Sequence, residues 1–81
     1  MQVHVFDTHV MTTSGQHIHF DVLVNDENTK QVAQYAEQYL ASLGLKVDNI
    51  KQSRCIFCHS EIANLDVQDN IASQGYSIIR L

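Results

Sequence analysis

The sequence has no proline or tryptophan, three glycines, two cysteines and only five lysine or arginine side chains in 81 residues. Each scarcity excludes something. Nine acids outnumber those five bases and arginine is confined to Arg54 and Arg80, so no basic stripe exists to follow a phosphate backbone and no nucleic-acid partner is expected. Gly15, Gly44 and Gly75 all fall at predicted element boundaries, which leaves no glycine for a phosphate-cradling loop or a dinucleotide fingerprint. No apolar run approaches the ~18 residues of a membrane-spanning helix, so no membrane partner is expected. The first residues lack the charged and apolar regions of an export signal. Two cysteines in such a chain fit a reducing cytoplasm better than a disulfide framework.

Histidine is the residue in excess. There are five, as many as lysine and arginine together, and protonating all of them would move the net charge from −4 to +1. His4, His9, His17 and His19 crowd the N-terminal quarter of the chain. Solubility and any metal binding should therefore respond to acid.

Hydrophobic spacing predicts the order β-β-α-β-α-β. Gln2 to Met11 alternates loosely and is rich in Val, Phe and Thr. His17 to Val24 alternates more clearly, with Ile18, Phe20, Val22 and Val24 on one side. Between them Thr13-Ser14-Gly15 has the glycine in third place, as a three-residue hairpin loop prefers. Asn28 with Gln31 resembles a capping box, and Val32, Ala36, Tyr39, Leu40 and Leu43 share one face of a helix stopped at Gly44. Leu45 is placed to close a Schellman-type cap. A third strand is expected from Ile50 to about Phe57. A short helix capped by Asn64 or Asp66 should carry Val67, Ile71 and Ala72 as far as Gly75, with a last strand from Tyr76. The expected fold is a single α+β domain over residues 1–81, with about four strands and two helices packed mainly on one face.

Cys55-Ile56-Phe57-Cys58-His59 fits several chemistries. Its spacing is that of covalent haem attachment, which the absence of an export signal and of any downstream methionine argues against. A thiol-redox pair is a second reading, although no basic residue follows Cys55 to lower a thiol pKa. Half of a tetrahedral zinc site is a third, with Cys55 and Cys58 as thiolate ligands completed by His59 or by His19 and Asp21. Against all three stands burial: along an unbroken strand, residues three apart point to opposite faces, and Cys55 and Cys58 would then be small core residues.

His17, His19 and Asp21 alternate onto one strand face. With Thr13-Ser14-Gly15 as the loop, Thr12 pairs Gln16, His9 lies opposite His19, and Asp7 lies opposite Asp21. That register gathers Asp7, His9, His17, His19 and Asp21. A two-residue loop would turn His9 to the apolar side and dissolve the set. Such a face suits a divalent ion, and is equally the ordinary polar side of an antiparallel sheet. Val3, Val5 and Met11 fall on the same side and break the segregation. His4 falls on the other, as a partly buried residue. No nucleophile–base–orienter set is legible, since the chain has neither a G-x-S-x-G turn nor an H-E-x-x-H helix.

The segments His4-Val5-Phe6-Asp7-Thr8, His19-Phe20-Asp21-Val22, Cys55-Ile56-Phe57-Cys58-His59-Ser60 and Gly75-Tyr76 resemble a family of small bacterial proteins catalogued as the domain of unknown function numbered twenty twenty-four. The resemblance spans the chain and implies a compact α+β domain. It implies no activity. The expectation is a small cytoplasmic binding or accessory protein holding a divalent transition metal such as Zn2+. The alternatives are a cofactor-free interaction module that self-associates or takes a protein partner through a sheet edge at the last strand, and a thiol-redox protein.

Overall fold

Gly15 sets the first turn. In the computed structural model, which describes Met1–Leu81, it adopts φ +89°, and the Thr12 and Gly15 amides donate to Gln16 and Thr12 carbonyls. The turn joins β1 (Gln2–Thr12) to β2 (His17–Val24) in the three-residue register, with His9 opposite His19 and Asp7 opposite Asp21. All pairings are antiparallel. β3 (Ile50–Ile62) lies outside β1 and β4 (Ser77–Arg80) outside β2, giving the order β3-β1-β2-β4.

The two helices are α1 (Val32–Ser42) and α2 (Leu65–Gln74). The chain reaches α1 through a 3-10 segment, Asp26–Gln31, rather than through a cap at Asn28. The Asn28 side chain is engaged elsewhere. Its amide donates to Asn25 Oδ1 at 2.7 Å, and its oxygen accepts from the Tyr35 hydroxyl at 3.2 Å. At the other end the Schellman pattern forms as expected. The Leu45 amide donates to the Leu40 carbonyl and the Gly44 amide to that of Ala41. α2 starts at Asn64, whose side chain accepts from the Val67 amide at 2.9 Å.

The α+β class, the element order, the four strands and the two helices are as the sequence predicts. The placement of the helices is not. They divide between the two faces of the sheet. Val32, Ala36 and Leu40 of α1 cluster with Val10, Ile18, Phe20, Val22 and Val24. Val67 and Ile71 of α2 cluster with Ala63, Val3, Val5 and Leu23 on the other side. Val3 and Val5, which look like errors in a polar face, are the seat of the second helix. Leu23, directly opposite Val5, completes it.

β3 also departs from expectation. It runs on to Ile62, pairing with β1 as far as Gln2, and a bulge on the way shifts its side-chain parity. His59 pairs Val5 and Phe57 pairs the next residue, Phe6, so Cys58 is the extra residue. Phe57 and Ser60 consequently share the α1 face, whereas His59 and Glu61 look to the other.

Candidate functional site

α2 is short, and it covers only the part of its face near Val3, Val5 and Leu23. The same face toward the hairpin end stays open. There the register stands His9 beside His19 and Asp7 beside Asp21, while β3 contributes Arg54 next to His9 and Ile56 next to Asp7.

The Asp7 carboxylate is the hub. Its Oδ2 accepts from His9 Nε2 at 3.0 Å, and its Oδ1 accepts from His19 Nε2. His9 Nδ1 lies 3.0 Å from His17 Nε2, so hydrogen bonds run from His19 through Asp7 and His9 to His17. The rings stack: His9 and His19 have centroids 4.0 Å apart, and His9 and His17 5.2 Å. One ligand atom each from Asp7, His9 and His19 falls within 4.8 Å of the others. Two imidazoles and a carboxylate are a donor set for first-row transition ions. Zinc binds such atoms at about 2.0–2.2 Å.

The two facing carboxyls behave differently. The hydrogen bond from His19 holds the Asp7 carboxyl below the usual carboxylate range. Partial burial opposes this and the His9 hydrogen bond adds to it. Burial, then the nearby Asp7 charge, pushes Asp21 up.

Of the residues singled out in the sequence, His19 lies in this cluster and Asp21 directly beside Asp7. Cys55 does not reach it. It pairs Thr8 on the α1 face, where the Thr8 hydroxyl donates to its Sγ at 3.2 Å, and burial raises its thiol pKa. Cys58 sits exposed in the bulge, with its Sγ 3.3 Å from His59 Nδ1. His59 also lies 3.5 Å from Glu61. No group of three ligand atoms within metal-binding distance includes either cysteine. The sequence places Asp7 and His9 on the face that suits a divalent ion but names only His19 and Asp21 from it as ligands, whereas the structure brings Asp7 and His9 together with His19. The signal that places them there is the hairpin register fixed by Gly15.

A second constellation has no linear signature. On the α1 face His4 pairs Ser60 across β1 and β3, with Ser60 Oγ 2.7 Å from His4 Nδ1. His4 Nε2 is bonded to Asp26 Oδ1 just beyond the end of β2. A serine, a histidine and an aspartate are thus in line, contrary to the expectation that no such set exists. Strand pairing, which joins residues 56 and 22 positions apart, creates it.

No helix is long and apolar enough to cross a membrane. No curated protein matches the sequence. The NMR structure of protein NE1680 from Nitrosomonas europaea is similar. It shares 36% identity and a TM-score of 0.81, over 100% of this chain and 95% of that one. The domain of unknown function DUF2024 matches residues 1–81. The chain belongs to the DUF2024 family.

Proposed function

We propose that the protein is a small cytoplasmic binding protein for a divalent transition ion, with Zn2+ held by Asp7, His9 and His19. The observation that carries this reading is the approach of those three ligand atoms to within 4.8 Å on an open sheet face. Zinc on His9 Nε2 requires the other ring nitrogen to keep its proton. His9 Nδ1–H then donates to His17, which fixes the ring. The ion would also neutralise the carboxylate that faces Asp21. Three protein ligands leave further positions on the solvent side for water or a ligand.

Elemental analysis of protein purified without a histidine tag, followed by zinc titration monitored through the imidazole resonances, tests the reading. One equivalent of metal with shifts at His9 and His19 is expected. No stoichiometric metal and unmoved imidazoles would exclude it.

The edge strand β3 favours a second reading, an interaction module without a cofactor. β3 is 13 residues long, mostly exposed and open along its outer side. Lys51 and Arg54 lie toward one end and Glu61 toward the other, so a second copy added antiparallel would set opposite charges against each other. The longer free edge is this strand and not the four-residue β4 at which the sequence pointed. Sedimentation over a wide concentration range tests it, and a monomer throughout rules out self-pairing.

A further inference from the structure

The alignment of Ser60, His4 and Asp26 lies on the sheet face opposite the metal cluster and is independent of it. Its geometry is built into the backbone. His4 sits on β1 with Ser60 as its partner on β3 and Val24 as its partner on β2, and Asp26 follows Val24 by two residues. The His4 side chain is only 19% exposed, between an exposed serine and an exposed carboxylate. A carboxylate accepting from Nε2 selects the tautomer with its proton there, which leaves the Nδ1 lone pair to accept from the Ser60 hydroxyl at 2.7 Å. The ring is thus arranged to take a proton from the serine, with the two nitrogens in the reverse of the order in the chymotrypsin-type triad.

The surroundings are apolar. The bulge at Cys58 sets Ser60 on the same face as Phe57, whose ring lies 6.3 Å from that of His4 and edge-on to Phe6 at 5.6 Å. Phe57 remains 53% exposed, and Ile62, beyond Ser60, is 78% exposed. Uncovered apolar groups therefore flank the hydroxyl on both sides along the strand.

We propose that Ser60 is a nucleophile for acyl transfer from small esters carrying an aromatic or short aliphatic group, with His4 as general base and Asp26 as the residue that orients it. Ser60 Oγ bonds to the ester carbonyl carbon as its proton passes to His4 Nδ1. The bond from that carbon to the alkoxy oxygen then breaks, and the departing alcohol takes the proton from His4. The product is O-acyl Ser60. A water molecule, giving its proton to His4, attacks the acyl carbon and releases the carboxylic acid, and the proton returns to Ser60 Oγ. Each preorganised oxyanion donor is typically worth about 10²–10³ in rate, and none of the Ser60, His4 and Asp26 side chains acts as one. The acyl-enzyme is therefore the informative readout, ahead of turnover.

The test is incubation of the full chain with p-nitrophenyl acetate in the presence of a chelator, followed by intact-mass and peptide mass analysis. The expected result is a single acetyl adduct on Ser60 and release of about one equivalent of nitrophenolate in an initial burst. Ser60→Ala should abolish the adduct. Ser60 is exposed, so this variant should keep its fold, checked by amide spectra. Asp26→Asn, at an exposed position, should slow acetylation by roughly tenfold or more by disturbing the tautomer. Acetylation confined to lysines or the N-terminus, or an unchanged burst in Ser60→Ala, overturns the proposal. So does ester cleavage that disappears with the chelator, because that activity would belong to the metal cluster.

Discussion

Asp7 and Asp21 face each other directly across β1 and β2, and the fold moves their carboxyls in opposite directions. Asp7 has both neighbouring imidazoles as hydrogen-bond donors, whereas Asp21 has burial and the charge of Asp7 against it. A carboxyl lowered by folding stabilises the native state above its unfolded pKa, and that contribution is lost as pH falls through its folded value. Asp7 therefore supports the fold at neutral pH and ceases to do so at strongly acid pH. A carboxyl raised by folding has the reverse sign. Asp21 contributes stability only while protonated, and loses it as pH rises through a folded value above 3.8.

Asp21→Asn removes this opposed charge and should stabilise the metal-free protein at pH 7 by about 0.5 kcal/mol, in the range for cross-strand like charges. The gain should vanish near pH 3, where Asp21 is protonated in either state. Urea denaturation at the two pH values checks it. Equal stability changes at both would mean that the substitution acts through packing and not through charge.

The hairpin was legible because one glycine in the third loop position fixes the register, and that register carries the whole of the Asp7, His9 and His19 cluster. α1 was legible from its apolar stripe and the Gly44-Leu45 cap. The second helix face was not. Val3, Val5 and Leu23 are separated by sequence and meet only across the β1–β2 ladder, so along either strand they read as blemishes in a polar face. The far half of β3 was illegible for a different reason. An extra residue at Cys58 shifts the period-two pattern, and alternation counted through it assigns His59 and Ser60 to the wrong sides. The Ser60–His4–Asp26 alignment inherits that difficulty, because it exists only after the bulge is placed.

Cys55 and Cys58 should differ in reactivity. Cys55 is half-buried behind Thr8 with a raised thiol pKa, and Cys58 is exposed in the bulge. Thiolate is the reactive form, so an alkylating agent at neutral pH should label Cys58 first and Cys55 only slowly. Time-resolved peptide mass analysis reads the order. Equal rates would show that the cover over Cys55 opens on the labelling timescale, and a rapidly formed disulfide would favour the redox reading.

Gly75 should be far less replaceable than Gly15, although both have φ near +90°. A Cβ at Gly15 meets nothing within 4 Å, whereas one at Gly75 would lie 2.6 Å from the Tyr35 hydroxyl oxygen. Gly15→Ala should cost about 1–2 kcal/mol from the left-handed backbone alone. Gly75→Ala should cost more, because Tyr35 must also yield its stacking on Tyr76 at 4.4 Å or its bond to Asn28. Denaturant midpoints rank the two. Equal costs would mean that Tyr35 moves aside freely.

His17 supplies no ligand atom to the metal cluster, yet its Nε2 sits 3.0 Å from His9 Nδ1 and its ring stacks on that of His9. If zinc occupies His9 Nε2, removing this partner leaves the ligand in place and its orientation unsupported. His17→Ala should therefore keep one equivalent of zinc while weakening affinity by about 10–100-fold, the usual cost of losing such a partner. His19→Ala should abolish stoichiometric binding, because it removes one of the three ligands. Affinity in every variant that binds should fall on acidification, because protons compete with the ion for imidazole nitrogen. Isothermal titration at two pH values separates the outcomes. Loss of stoichiometry in His17→Ala would make His17 a ligand in its own right, and full retention of affinity would show that the sheet holds His9 without it.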